Sequence, residues 1–345
     1  MKRLVIAALI CSPAAAFACA TCGCSLSSDA AAGYSTTAGW RMNLEYTYLD
    51  QNQLRLGTHA ISSAQVAAIN DAGGNQEVEH GTINRYTTLS MMYAANANWS
   101  VKLMAPYIDR SHTTYGAASN PLTADQLSSA TVSGLGDLKL IANYQGFLPT
   151  HNLGMQLGVK LPTGHYGGPN ADGTGIAGHQ PTPFSAGPLA QNTAPGNLLD
   201  TSLQLGTGST DLIIGGYYYQ PVSQNFDAFV SGQFQAAVKQ KLHQFGQDYR
   251  PGNQATISFG LRYEASPDMT PQLQINLSRK SHDQGSLADS PDTAGTVAYL
   301  SPGLSMGVMK NVQLYGFVQL PMYSKLDGYQ VFPRWSATIG ASYAF

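Results

Sequence analysis

Residues 133–164, SGLGDLKLIANYQGFLPTHNLGMQLGVKLPTG, constrain the fold more than any other stretch of the chain. Leu138, Leu140, Ala142 and Tyr144 fall on one side of a two-residue period, and Asp137, Lys139, Ile141 and Asn143 on the other. After a turn at 149–152, Met155, Leu157, Val159 and Leu161 alternate with Gln156, Gly158, Lys160 and Pro162. Strict alternation is the mark of a β-strand whose two faces meet unlike surroundings. One face here carries full charges and the other almost none. The same unit recurs to the C-terminus, so the chain is read as all-β and built from consecutive hairpins.

Composition says which surroundings these are. Asp, Glu, Lys and Arg make up 11% of the 345 residues, against roughly 25% in soluble domains. Beyond the N-terminus no run of about 18 apolar residues appears, which excludes membrane-spanning helices. Low charge with apolar residues placed one in two fits a transmembrane β-barrel. Residues 1–18 read as a secretory signal: Lys2 and Arg3 precede an apolar stretch, and Ala16-Phe17-Ala18 offers small residues at the cleavage positions. Losing Lys2 and Arg3 takes the formal charge from -2 to -4. A mildly acidic chain of this kind gives no support to nucleic-acid binding.

In chain order, 19–37 is a short polar leader, expected in the periplasm, and 38–345 forms the barrel. Strands are expected at 40–50, 84–95, 99–109, 137–144, 155–162, 209–220, 226–238, 255–265, 272–282, 296–308, 312–323 and 335–345. That is about twelve antiparallel strands in up-and-down order, with short turns and long loops in alternation. The loops fall at 51–83, 111–132 and 164–206, and the last of these is expected to fold into the mouth. Trp40, Tyr48, Trp99, Tyr107, Tyr144, Tyr218, Tyr263, Tyr323 and Trp335 fall near strand ends on the apolar phase, as interfacial girdles would. The final strand alternates down to Phe345, an aromatic ending that resembles the terminal signal of outer-membrane barrels.

The segments GLGDLKLIANYQGF, GVKLPTG and GTGSTDLIIGGYYYQP resemble a bacterial family of outer-membrane barrels. That family is loosely associated with the meta-cleavage pathway of phenol degradation and otherwise described as transporters. The resemblance covers about residues 134–345. It implies an outer-membrane transporter, expected to pass small molecules of hydrophobic or aromatic character. It carries no catalytic motif.

The residues that could line such a path are Arg41, Glu45, Lys102, Asp137, Lys139, Lys160, Arg262, Glu264 and Lys280, all on the inward phase. Charge on the lipid face costs several kcal/mol at mid-membrane, so the inward position is required. Such charges either line a water-filled path and set its selectivity, or pair across it. The bacterial outer membrane's lipid and a small-molecule solute are the expected partners, and no cofactor is expected. Cys19, Cys22 and Cys24 form a CxxCxC leader. An oxidising periplasm favours a disulfide with one free thiol. A soft-metal thiolate site and lipid attachment at Cys19 are the other readings. A structural or assembly role, with a periplasmic redox or metal protein held at this leader, is the alternative to transport. The histidines show no HxH or HExxH spacing. An esterase-type barrel would need Ser, His and an orienting residue together; Ser278, Ser281 and His282 are the only candidates, and no motif surrounds them, so no enzyme is expected.

Overall fold

The computed structural model of the protein describes residues 38–191, 198–266 and 268–345. The chain enters as β1 (Gly39–Gly57), to whose far end the two-residue β2 (His59–Ala60) is bound. A nine-residue helix, Ser63–Asp71, follows; Ser62 caps it and exchanges hydrogen bonds with Gln65. β3 (Glu79–Ala94) and β4 (Trp99–Thr114) form a hairpin, and both β5 (Ser128–Leu135) and β6 (Leu138–Tyr144) pair with β4. After β7 (Leu153–Leu161), β8 (Tyr166–Pro169) and β9 (Ile176–His179) make a separate hairpin in the longest loop. β10 (Ser209–Pro221) and β11 (Phe226–Gln240) lead to a two-residue pair, β12 (His243–Gln244) and β13 (Gln247–Asp248). β14 (Gln254–Tyr263), β15 (Met269–Lys280), β16 (Gly295–Met309) and β17 (Val312–Ala344) complete the chain.

The ring runs β1-β3-β4-β6-β7-β10-β11-β14-β15-β16-β17, antiparallel throughout, and β17 pairs with β1 to close it. Closure removes the unpaired strand edges that a lipid interior could not satisfy. Eleven elements thus form the wall, but the last does double duty. A straight strand of 33 residues would be roughly 110 Å long at about 3.3 Å per residue. Instead residues 312–326 pair with β16 and residues 326–344 with β1. The chain reverses at Gly328, whose φ of +67° suits a turn. Counted by staves rather than elements, the wall has the twelve that the alternation implies.

The alternation is also what sorts the faces. Trp40, Met42, Leu44 and Tyr46 point out of β1 and are exposed, while Asn43, Glu45 and Thr47 point in. The outward phase elsewhere is equally apolar: Leu89 and Tyr93, Leu157 and Leu161, Phe259 and Leu261, Leu273 and Ile275, Leu314 and Val318 are all exposed. Water would not tolerate such a belt on a monomer, and lipid requires it. At the short-turn end, Trp40–Tyr93, Trp99–Tyr144 and Phe226–Tyr263 bring their ring centroids within 5.0 Å, forming one girdle. Tyr48 against Trp335 marks the other. The eight residue steps from Trp40 to Tyr48 span roughly 26 Å along the strand, about 20 Å once tilted as barrel strands are. No helix among the described residues is long and apolar enough to cross a membrane; the strands do the crossing.

Several strands run past the membrane edge, where the sequence reading stopped them. β1 continues to Gly57, β4 to Thr114, and β5 occupies part of the expected 111–132 loop. Polar residues there still alternate in and out, and backbone pairing does not need lipid to persist. The signal at 1–18 and the leader at 19–37, with Cys19, Cys22 and Cys24, lie outside the described residues.

Candidate functional site

The densest polar cluster inside the ring gathers on the inward faces of β6, β7, β10 and β11. Lys160 of β7, with 6% of its side chain exposed, sits 3.1 Å from both Asp137 and Asp211. Its ammonium also donates to Thr207 Oγ1 and Ser209 Oγ. Asp211 accepts from Gln235 Nε2 at 2.6 Å, and Gln235 Oε1 accepts from Lys139 at 3.1 Å. One cation between two carboxylates, with the remaining lone pairs filled, is how buried charge is made tolerable. Asp137 lies in the two-residue break between β5 and β6, so its carboxylate is free to take backbone donors. It accepts from the amides of Gly164 and Thr207, the two ends of the longest loop.

That loop returns through the interior. Leu199, Leu203 and Leu205 pack against Ile108, Ala130 and Val132, which are inward residues of β4 and β5. Arg110 of β4 donates to the carbonyls of Leu203 and Gln204, and its Nε donates to Asn84 Oδ1. The backbones of Gly164 and Gly206 approach so closely that a Cβ on Gly164 would fall 2.8 Å from Gly206 N. Residues 198–208 are therefore seated inside the wall by an apolar triad, a guanidinium on two carbonyls and the Lys160 cluster. Sequence reading missed Arg110 because it ended that strand at Asp109. It missed Asp211 as well, although the period of STDLI already placed that residue inward.

The opposite wall, β14 to β17, is lined differently. Its inward positions include Ser258, Gln272, Gln274, Asn276, Ser301, Ser305 and Gln319, all buried and all uncharged. Gln272 donates to Ser305 and Asn276 to Ser301 across the β15–β16 pair. Inward aromatics lie against inward glycines of the neighbouring stave: Phe317 over Gly303, Tyr315 over Gly340 in the returning half of β17, and Phe229 over Gly260. A Cβ on any of these glycines would sit 2.1–2.3 Å from the ring. The missing side chain is what lets each ring lie along the wall. Tyr217 over Gly154, on β10 and β7, repeats the device and donates its hydroxyl to Gln145.

The remaining sequence-nominated charges are spread around the ring. Glu45 accepts from Tyr315 at 2.8 Å. Arg41 and Lys102 lie on the inward phases of β1 and β4, and Lys102 is buried. Arg262 pairs at 2.9 Å with Glu264, which stands just past the end of β14 at the short-turn end. Lys280, at the long-loop end of β15, holds Asp283 at 2.8 Å. His112, expected in an outer loop, is instead a buried inward residue of β4, bonded to Thr82 and 3.7 Å from Glu77. His165 and His179 do meet, ring centroids 5.2 Å apart, across the β8–β9 hairpin. Among the described residues no group of three or more His, Cys, Asp or Glu is arranged to hold a metal ion. His282 is bound to the carbonyl of Ser290 and to Asp327, and Ser281 accepts from Asn253 N, so this histidine is turned to groups other than the nominated serines.

One more cluster closes the long-loop end. Asp289 and Asp292 are buried in the loop after β15, and Asp292 accepts from Gln76 Nε2 and from Tyr329 N. Burial, and then the charge of Asp292, push the Asp289 carboxyl up to about 9, and burial raises Asp292 as well, so the two buried carboxyls favour holding a proton between them.

No protein-family model matches the chain, and no curated protein matches it either. Among solved structures, an outer membrane channel from Pseudomonas putida F1 aligns over 90% of this chain and 97% of its own, with a TM-score of 0.59 and 12% sequence identity. The toluene transporter TbuX of Ralstonia pickettii aligns over 90% of each chain at a TM-score of 0.44 and 11% identity. A Pseudomonas aeruginosa FadL homologue covers 89% of this chain and 90% of its own at a TM-score of 0.41 and 12% identity. The last two likenesses are too loose to bear weight. At its level of identity the first is a likeness of fold: the chain is an all-β, closed antiparallel barrel of the same architecture as that channel.

Proposed function

We propose that the protein is a passive channel of the bacterial outer membrane for small molecules, in which residues 198–208 act as the gate. The observation that carries this reading is the seat of that segment: a loop that leaves the wall at Gly164, enters the ring and is bound there by Arg110, Asp137 and Lys160. A barrel with a merely structural role has no need of a segment held inside it by buried charge. Arg41, Glu45, Lys102, Asp137, Lys139, Lys160, Arg262, Glu264 and Lys280 are the charges we assign to the path. The solute class we favour is small and apolar or aromatic. The sequence likeness to barrels associated with phenol degradation supports it, as does the aromatic wall of Tyr217, Phe229, Tyr315 and Phe317.

The test is flux into vesicles carrying the refolded chain. Phenol should equilibrate faster than a sugar of similar size, and K139E/K160E should alter the ion selectivity of the conductance. Equal rates for both solutes would remove the solute assignment, and unchanged selectivity would remove Lys139 and Lys160 from the path.

A further inference from the structure

The β8–β9 hairpin is stitched to residues 198–208 at both of its feet. Just before β8, the carbonyl of His165 accepts from Gly206 N at 2.7 Å. Just beyond β9, the carbonyl of Thr182 accepts from Leu199 N at 2.8 Å, and its amide donates to Gln204 Oε1 at 2.9 Å. The fit is close: a Cβ on Gly208 would fall 2.7 Å from the Tyr166 ring, and one on Gly168 2.6 Å from Thr201 Oγ1. Whatever holds the neck of this hairpin closed therefore also holds the segment bound to it.

Two imidazoles stand at that neck. Tyr166 and His179 are the outermost register pair of the hairpin, and His165 is the residue next to them. The His165 and His179 ring centroids are 5.2 Å apart and their planes are inclined at 67°. An imidazole nitrogen sits about 2 Å from a bound Zn²⁺ and roughly 1.2 Å from its own ring centre, so two rings on one tetrahedral ion stand about 5 Å apart. The spacing found here already fits a ligand pair. Both side chains are exposed, and the ring torsion of histidine is broad, so each can present a nitrogen. Among the described residues neither ring is held by a hydrogen bond or an ion pair. By contrast, His112 is bonded to Thr82, His243 to the Lys241 carbonyl and His282 to that of Ser290. Among the described residues no third His, Cys, Asp or Glu joins the pair. Two imidazoles with water in the remaining positions suit Zn²⁺, Ni²⁺ or Cu²⁺ and not the oxygen-seeking Ca²⁺ or Mg²⁺.

We propose that His165 and His179 bind one divalent transition-metal ion of the Zn²⁺ type, and that the bound ion ties the neck of the hairpin and so keeps residues 198–208 seated. The site itself stands on the hairpin alone; that the ion regulates passage rests on the channel reading above. With two protein ligands and open positions left to water, the ion exchanges with solution and acts as an effector.

The test is calorimetric titration of Zn²⁺ into the refolded full chain, its cysteines alkylated so that the CxxCxC leader takes none. The native chain should bind one equivalent that both H165Q and H179Q lose. H59Q, which removes another exposed histidine, should keep it. Equal uptake by the native chain, H165Q and H179Q overturns the site, as does loss of the same equivalent in H59Q. Chymotrypsin reads the tie: Zn²⁺ should slow cleavage within residues 198–208 of the native chain and not of H179Q. Unchanged cleavage in a native chain that binds the ion overturns the tie. Conductance separates this inference from the channel reading. Zn²⁺ that closes the native channel and leaves H179Q unaffected supports both. A chain that binds Zn²⁺ and is protected by it but never conducts counts against the channel alone.

Discussion

The two inner walls of this barrel solve opposite problems. Between β4 and β11 the wall holds a piece of the chain, and it does so with full charges: Lys160 between Asp137 and Asp211, and Arg110 on two carbonyls. Between β14 and β17 the charges Arg262 and Lys280 stand at the two ends, and the lining between them is amide, hydroxyl and aromatic, with rings kept against the wall by glycines. Buried charge is costly unless every partner is present. It is found here where a segment needs a fixed seat, and it is scarce where the wall has only to be smooth.

The contrast can be broken at its strongest point first. Lys160→Met leaves two buried carboxylates facing each other, which should cost about 3–5 kcal/mol in chemical denaturation. A loss below about 1 kcal/mol would mean that the cluster does not seat the segment. Leu203 is 1% exposed. Leu203→Ala should cost roughly 2–4 kcal/mol and make residues 198–208 the first site of protease cleavage while the strands stay intact. On the opposite wall, Gly303→Ala puts a methyl into the Phe317 ring and should cost about 1–3 kcal/mol. Phe317→Ala in the same chain should recover much of that loss, and a double-mutant cycle that shows simple additivity would sink the glycine argument.

The rim above that second wall has its own pH dependence. The Asp289 carboxyl is raised to about 9 in the fold, so the folded state binds a proton that the unfolded chain releases near the ordinary carboxylate range. Stability from this site is therefore full at low pH, declines as pH rises toward about 9, and is flat beyond. The slope is at most about 1.4 kcal/mol per pH unit. Denaturation midpoints of native and D289N chains between pH 5 and 10 measure it, and parallel curves would contradict the assignment. The smallest effect belongs to the Arg85–Asp109 pair, whose side chains are 35% and 45% exposed. Removing it should cost under about 0.5 kcal/mol and vanish in high salt.

Much of this was legible in the sequence because a period of two is a strong signal when one face meets lipid. The outward rows Trp40 to Tyr46 and Met155 to Leu161, the stave number and the girdles all follow from alternation alone. Extensions such as Arg110 to Thr114 escaped because beyond the membrane both faces are polar, and the contrast that defines a strand end disappears. The seat of residues 198–208 escaped for another reason. Leu199, Leu203 and Leu205 follow no strand period, and their partners Ile108, Ala130 and Val132 lie some 70 to 100 positions away. Lys160 could be placed inward from its own strand, but its two partners come from a strand break and from β10, and no local pattern links them.

The most direct test of the gate is single-channel recording of the refolded chain and of Lys160→Met in planar bilayers. The native chain should show small, steady steps, and the variant larger or rapidly fluctuating ones as the unseated segment moves. Indistinguishable conductance in the two chains, or silence in both, would contradict a channel gated by that segment.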